Sequence, residues 1–102
     1  MNKWHVYFME SKQNKKIYVG KTSKLPEQRV KEHNNSANIW SKNNGPFELI
    51  YFEEYQCSKD ADQREKFYKS GFGREIKKVI VEHIKTIKRD VVQMARTHGS
   101  EP

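Results

Sequence analysis

The sequence predicts an α+β fold: a small three-stranded, mainly antiparallel sheet flanked by helices, with a long C-terminal helix. Three observations predict it. Runs rich in aromatic and β-branched residues occur at Trp4–Met9, Lys16–Gly20 and Phe47–Tyr55. The first two are joined by so short a polar link that they form an antiparallel hairpin. Late in the chain, Ile80, Ile84, Ile87, Val91 and Met94 recur at spacings of 4, 3, 4 and 3, the seam of a helix. At 102 residues there is room for one core.

Each element has its own reason. Trp4–Met9 and Lys16–Gly20 flank the turn-like Ser11–Lys15, with the turn centred on Lys12-Gln13. That register sets Val6 opposite Val19, Phe8 opposite Ile17 and Tyr7 opposite Tyr18. Side chains alternate along a strand, so the aliphatic set shares one face and the two tyrosines meet on the other. Pro26 suits the first turn of a helix, where its missing N–H costs nothing. This helix runs to about His33 before Asn34-Asn35-Ser36 end it, and it sets Arg29 and His33 on one face, four residues apart. Residues 36–46 read as a polar connection anchored by Ile39-Trp40 and closed by Gly45-Pro46. After the third strand, Ser58 or Asp60 caps a helix over Ala61–Lys69, broken by Ser70-Gly71-Phe72-Gly73. The last helix starts near Arg74, carries Ile76 and Val79 ahead of its stripe, and frays from His98. The stripe packs on the protein's own sheet or against a second copy.

Composition narrows the function. The chain carries 20 Lys+Arg against 13 Asp+Glu, for a net charge of +7, and a single cysteine, Cys57. One cysteine excludes a disulfide framework and a Cys-based zinc site. No apolar run approaches the roughly 20 residues that span a bilayer. The last helix interleaves its basic residues with Glu75, Glu82 and Asp90 and has no Trp or Phe on its apolar face, unlike an interfacial helix. Met1–His5 lacks the apolar core of a signal peptide, so the expected setting is the cytoplasm, in association with the nucleoid.

Excess positive charge favours an anionic partner, most commonly nucleic acid. The excess is uneven. Residues 12–31 hold Lys12, Lys15, Lys16, Lys21, Lys24, Arg29 and Lys31 against Glu27 alone. Residues 53–65 instead collect Glu53, Glu54, Asp60, Asp62 and Glu65. Basic groups such as Lys15, Lys16, Lys24 and Lys31 draw in a phosphate backbone, and a carboxylate among them holds a metal.

The order His5-Val6-Tyr7, Tyr18-Val19-Gly20, Arg29, His33 and Glu65 resembles the GIY-YIG nuclease family, over roughly residues 3–84. Within it, the chain is most similar to the small stand-alone, single-domain type (excision-repair-nuclease-like, UPF-type), including the stretch Ser70–Lys78. The resemblance implies a nuclease domain over residues 1–84, with 85–102 as a helical extension and tail of the same domain. It implies hydrolysis of DNA phosphodiester bonds with one divalent ion, Mg²⁺ or Mn²⁺. By position, Tyr7 and Tyr18 match the motif tyrosines, Arg29 the essential arginine and His33 a frequent histidine. Lys21 matches a lysine of the branch resembling the excision-repair nuclease, Glu65 the metal ligand and Gly20 the motif glycine. His5 replaces the leading glycine, valines replace the middle isoleucines, and residues 70–85 hold no late asparagine, whose role is either absent or taken by Ser70 or Glu75.

The chemistry asks for these residue types. Hydrolysis needs an activated water and charge neutralisation at phosphorus. A phenol is a poor base at neutral pH, so a cation beside it favours the phenolate, and Lys21 and the Lys15-Lys16 pair are available. One tyrosine serves as base and the other orients, with either assignment open. The Arg29 fork holds two phosphate oxygens at once. Glu65 supplies a hard oxygen for Mg²⁺, which needs only one or two carboxylates. Gly20 lets the backbone approach the phosphate. The alternative is a non-catalytic DNA- or RNA-binding module on the same fold, with Trp40, Tyr51 and Phe72 as binding aromatics. The short chain leaves no room for an added recognition module, so DNA of branched, flap or single-stranded form is the expected substrate. The protein is expected to be a monomer, or a weak homodimer through its last helix.

Overall fold

The computed structural model describes residues 3–98, with side chains as far as residue 88. Its elements are β1 (Trp4–Ser11), β2 (Ile17–Thr22), α1 (Pro26–Asn35), α2 (Ile39–Asn44), β3 (Phe47–Tyr55), α3 (Ser58–Lys69) and α4 (Gly71–His98). The strands form one antiparallel sheet in the order β2-β1-β3. The architecture is α+β with a long last helix, as the sequence predicts. No helix among the described residues is long and apolar enough to cross a membrane.

The central strand β1 is buried on both faces, which explains its nearly continuous apolar run. On one face Val6 and Phe8 pack with Ala61, Tyr68 and Val81, and Ile17 and Val19 close over them. On the other, Tyr7 and Met9 pack with Val30 of α1 and Phe47, with Tyr18 beside them. The predicted division of faces therefore holds. The register does not. Tyr7 lies opposite Gly20, Met9 opposite Tyr18 and Phe8 opposite Val19, two residues from the expected pairing. A shift of two keeps every side chain on its face.

The turn causes the shift. Ser11 Oγ accepts from the backbone N–H groups of Gln13 and Asn14 at 3.1 and 3.0 Å, and Ser11 N donates to Lys16 O at 2.9 Å. Lys15 takes a left-handed φ of 65° to close this longer link.

Four boundaries also differ from the expectation. Asn34 and Asn35 continue α1, and Asn34 pairs both its amide groups with the backbone of Phe47 at 2.9 and 2.7 Å. Residues 39–44 form the short helix α2, because Asn38 Oδ1 accepts from Ser41 N at 3.2 Å as an N-cap. Helix α3 begins at Ser58 after Cys57, so neither Ser58 nor Asp60 caps it, and Asp60 lies in its first turn. Ser70 alone separates α3 from α4, whose first turn contains Gly71, Phe72 and Gly73. A Cβ on Gly73 would overlap the Phe67 carbonyl, so the tight corner requires glycine there. Ile76, Ile80 and Val81 of α4 pack on the sheet, while Val79 and Ile87 are exposed. The side chains of Val91 and Met94 of the stripe lie beyond those described, and the tail beyond His98 lies outside the described residues.

Candidate active site

A pocket of about 540 Å³ follows the outer edge of β2. Residues from both faces of that strand line it, Tyr18 and Gly20 on one side and Ile17, Val19 and Lys21 on the other. Helix α1 adds Arg29 and His33, α2 adds Trp40, and α3 adds Glu65, Tyr68 and Lys69. Arg74 and Lys77 come from α4. The edge position matters, since only an outermost strand lets helices from both faces of a sheet reach one cavity.

Tyr7 belongs to the central strand and still lines this pocket. Gly20 explains how. The two residues pair across β1 and β2, and a Cβ on Gly20 would overlap Tyr7 Cζ and the Tyr7 hydroxyl oxygen. The phenol thus lies across the glycine toward the sheet edge. The space over Gly20 that was expected to admit a phosphate is filled by the Tyr7 ring.

The Tyr7 hydroxyl is 3.3 Å from His33 Nε2. Burial raises the Tyr7 pKa above 10.0, Arg29 opposes this, and Glu65 and Glu32 add to it. Burial lowers the His33 pKa below 6.5, helped by the Arg29 charge and opposed by Glu32. At neutral pH the pair is an uncharged phenol beside an uncharged imidazole. The second tyrosine is held differently. Tyr18 Oη donates to Asn44 Oδ1 at 3.2 Å and accepts from Asn14 Nδ2 at 3.3 Å, while Asn14 Nδ2 also reaches Asn44 Oδ1 at 3.2 Å. Sequence reasoning missed both asparagines, which lie in the turn and in the unexpected helix α2.

The cations are arranged otherwise than expected. Lys21 lines the pocket, but its ammonium is 3.5 Å from Asp62 and 5.2 Å from the centre of the Trp4 ring. Arg29, rather than Lys21, is the cation acting on the Tyr7 phenol. Lys15, Lys16, Lys24 and Lys31 are exposed and line none of the pocket, and Lys24 is paired with Glu32 at 2.7 Å. Lys69, Arg74 and Lys77 take their place at the rim. Lys77 donates to Ile17 O at 3.3 Å, and burial lowers its pKa below 10.5, with Arg74 and Lys78 adding to the effect. Ser70 and Glu75 do not line the pocket: Ser70 Oγ caps the α3–α4 corner, and Glu75 pairs with Lys78. The buried His5 sits beside Phe52 and 3.6 Å from Glu54, away from these walls.

Glu65 is the pocket's carboxylate, 19% exposed and paired with Lys69 at 3.2 Å. Among the described residues no cluster of three or more His, Cys, Asp or Glu side chains is suited to a metal ion. A single hard oxygen donor in an open pocket does not fit zinc, which takes three or four protein ligands. It does fit Mg²⁺, which keeps several waters and takes one or two carboxylates with substrate phosphate.

Comparison with known proteins identifies the family. The family model of the GIY-YIG catalytic domain matches residues 3–88. The UPF0213 protein CPE1444 of Clostridium perfringens (strain 13 / Type A) is 35% identical over 66 residues, covering 64% of this chain and 69% of that protein. No solved structure matches the chain. Because the family match spans most of the chain, the protein belongs to the GIY-YIG family of nuclease-type catalytic domains.

Proposed function

We propose that the protein is a divalent-metal-dependent endonuclease that hydrolyses phosphodiester bonds of DNA in this pocket. The observation that carries the reading is convergence: Tyr7, Tyr18, Arg29 and Glu65 come from β1, β2, α1 and α3 and line one cavity. Glu65 would hold a Mg²⁺ or Mn²⁺ ion, which when bound supplies charge neutralisation at the phosphate and acidifies water. Arg29 grips two non-bridging oxygens with its planar fork. Tyr7 donates its proton to the neutral His33 Nε2 as its oxygen receives one from the attacking water. The lowered His33 pKa keeps that nitrogen free to accept at neutral pH. Tyr18, fixed between Asn14 and Asn44, orients rather than accepts. The departing oxygen takes a proton from the rim, where Lys77 is the ammonium that burial makes more acidic.

The test is an assay of duplex, single-stranded, flap and four-way substrates with Mg²⁺ and with Mn²⁺, wild type beside Glu65→Ala and Arg29→Ala. Cleavage by the wild type alone is the expected result. Binding without cleavage on every substrate and ion would leave only a nucleic-acid-binding module.

A further inference from the structure

The pocket has one wall that catalysis does not use. Trp40 lines it while remaining 42% exposed, and Ile39 before it is 76% exposed. They are consecutive large apolar side chains on a six-residue polar helix, and Trp40 is the one that turns to the pocket.

The ring geometry shows which part of Trp40 is open. Trp40 stacks on Phe47, with centroids 5.4 Å apart and planes 14° from parallel. Tyr18 lies 5.2 Å from Trp40 and 5.8 Å from Phe47, nearly perpendicular to both. His33 lies 6.2 and 6.0 Å from the same two rings. A ring seated on the outer face of Trp40 would be two ring spacings from Phe47, on the order of 9 Å. Neither is that far, so both sit along the edges of the stack. They brace the indole at its edges and do not cover its outer face, and the side chain remains 42% exposed.

We infer that this face is a stacking platform for an unpaired DNA base next to the phosphate gripped at Arg29. The inference rests on the nuclease reading for the placing of that phosphate, and it specifies the substrate class as DNA with a single-stranded segment. Bases inside a duplex have both faces covered by neighbours, whereas an unpaired base offers a π-face to an aromatic side chain. The opposite wall carries Lys69, Arg74 and Lys77, suited to the strand's phosphates. The base thus sits on the α2 side beside the Arg29 phosphate, with the strand's further phosphates on the α3–α4 side. The indole is already held by Phe47, Tyr18 and His33, so binding immobilises little side-chain freedom.

The test measures anisotropy of an end-labelled oligothymidylate and of a blunt duplex hairpin, in EDTA so that nothing is cut. Wild type is compared with Trp40→Ala and Trp40→Phe. Trp40→Ala is expected to weaken single-strand binding by roughly 5- to 150-fold and duplex binding by under about twofold, with Trp40→Phe recovering most of the loss. Indole emission of the wild type is expected to quench on adding oligothymidylate, and that of Trp40→Phe, which retains Trp4, to stay unchanged. The fluorescence of Trp40→Phe decides the matter even where Trp40→Ala folds poorly. Equal losses on both ligands, no loss on either, or quenching that survives in Trp40→Phe overturns the platform. Absence of cleavage under every condition, with Trp40 still governing single-strand binding, overturns the nuclease reading alone.

Discussion

Glu53 and Glu65 are the same residue type at similar depth, 13% and 19% exposed, and they are treated in opposite ways. Glu53 on β3 accepts from Tyr51 at 2.7 Å, Tyr55 at 2.6 Å, Arg64 at 3.1 Å and also from Tyr68. Burial works to raise its pKa, but those four donors outweigh burial and hold it below 4.5. In return, burial and Glu53 push Tyr51 and Tyr55 up to about 12. Glu65 on α3 faces the pocket with one ammonium, that of Lys69. A carboxylate saturated with protein donors has no capacity left for a ligand, whereas one with a single donor does. The two sites are also linked. Arg64 and Tyr68 lie four apart on α3 and clamp it to Glu53, and Glu65 and Lys69 are each one residue further round. One residue is about 100° of helix rotation, so the clamp on one face aims the pocket residues on the next.

Exchanging the roles by mutation would break this comparison. The largest expected effect is at Glu65. Glu65→Gln should reduce cleavage by about 10³-fold or more in single-turnover assays, the scale of losing a group that stabilises transition-state charge. Its thermal midpoint should move by no more than about 2 °C, because its one partner, Lys69, is 56% exposed and such a pair contributes little. Unfolding of Glu65→Gln would remove the contrast.

Glu53→Gln should do the reverse. It leaves three tyrosines and Arg64 short of an acceptor, at a cost of about 3 kcal/mol by urea unfolding, while the folded fraction retains cleavage. Gly20→Ala sharpens the picture at the pocket. By displacing the Tyr7 ring it should lower cleavage by about 10²-fold, the cost of a misplacement near 1 Å, with a far smaller stability change than Glu53→Gln.

The smallest effects are those of pH. Glu53 has a folded pKa below its ordinary 4.5, so its stabilisation is complete above that value and is lost as pH falls through the folded pKa. Tyr51 and Tyr55 are raised from 10.0 to about 12, so their contribution is complete below pH 10 and is lost as pH rises toward 12. Urea midpoints of wild type should therefore decline at both ends, and Glu53→Gln should flatten both declines. Cleavage should instead decline as pH falls below 6.5 through the lowered His33 pKa, at which point Nε2 no longer accepts the Tyr7 proton.

The contrast between the two glutamates was only half legible in the sequence. Glu65 stands at a motif position. Glu53 lies in an acidic segment with Glu54, Asp60, Asp62 and Glu65, and nothing local marks it as the hub of three tyrosines. The basic lining of the pocket was not legible for the same reason. The run from residue 12 to 31 is dense in lysine, yet its turn and α1 lysines face solvent, and the pocket takes Lys69, Arg74 and Lys77 from elements distant in sequence. Helix α2 did have a local signal, Asn38 three residues before Ser41, but its exposed Ile39 and Trp40 carry no amphipathic pattern.

The sequence by itself determined the three strands, the faces their side chains occupy, the Arg29–His33 helix face and the family's signature residues. These follow from periods of two and 3.6 residues, which are local and survive a register shift of two. Tertiary structure alone decided the register, because a serine hydroxyl and one left-handed lysine set the length of the turn. It also decided that Gly20 makes room for Tyr7, that Trp40 lines the pocket, and which carboxylate is saturated with donors and which lines the pocket with one. Those outcomes depend on which side chains meet across elements far apart in the chain, and no period along a single element encodes them.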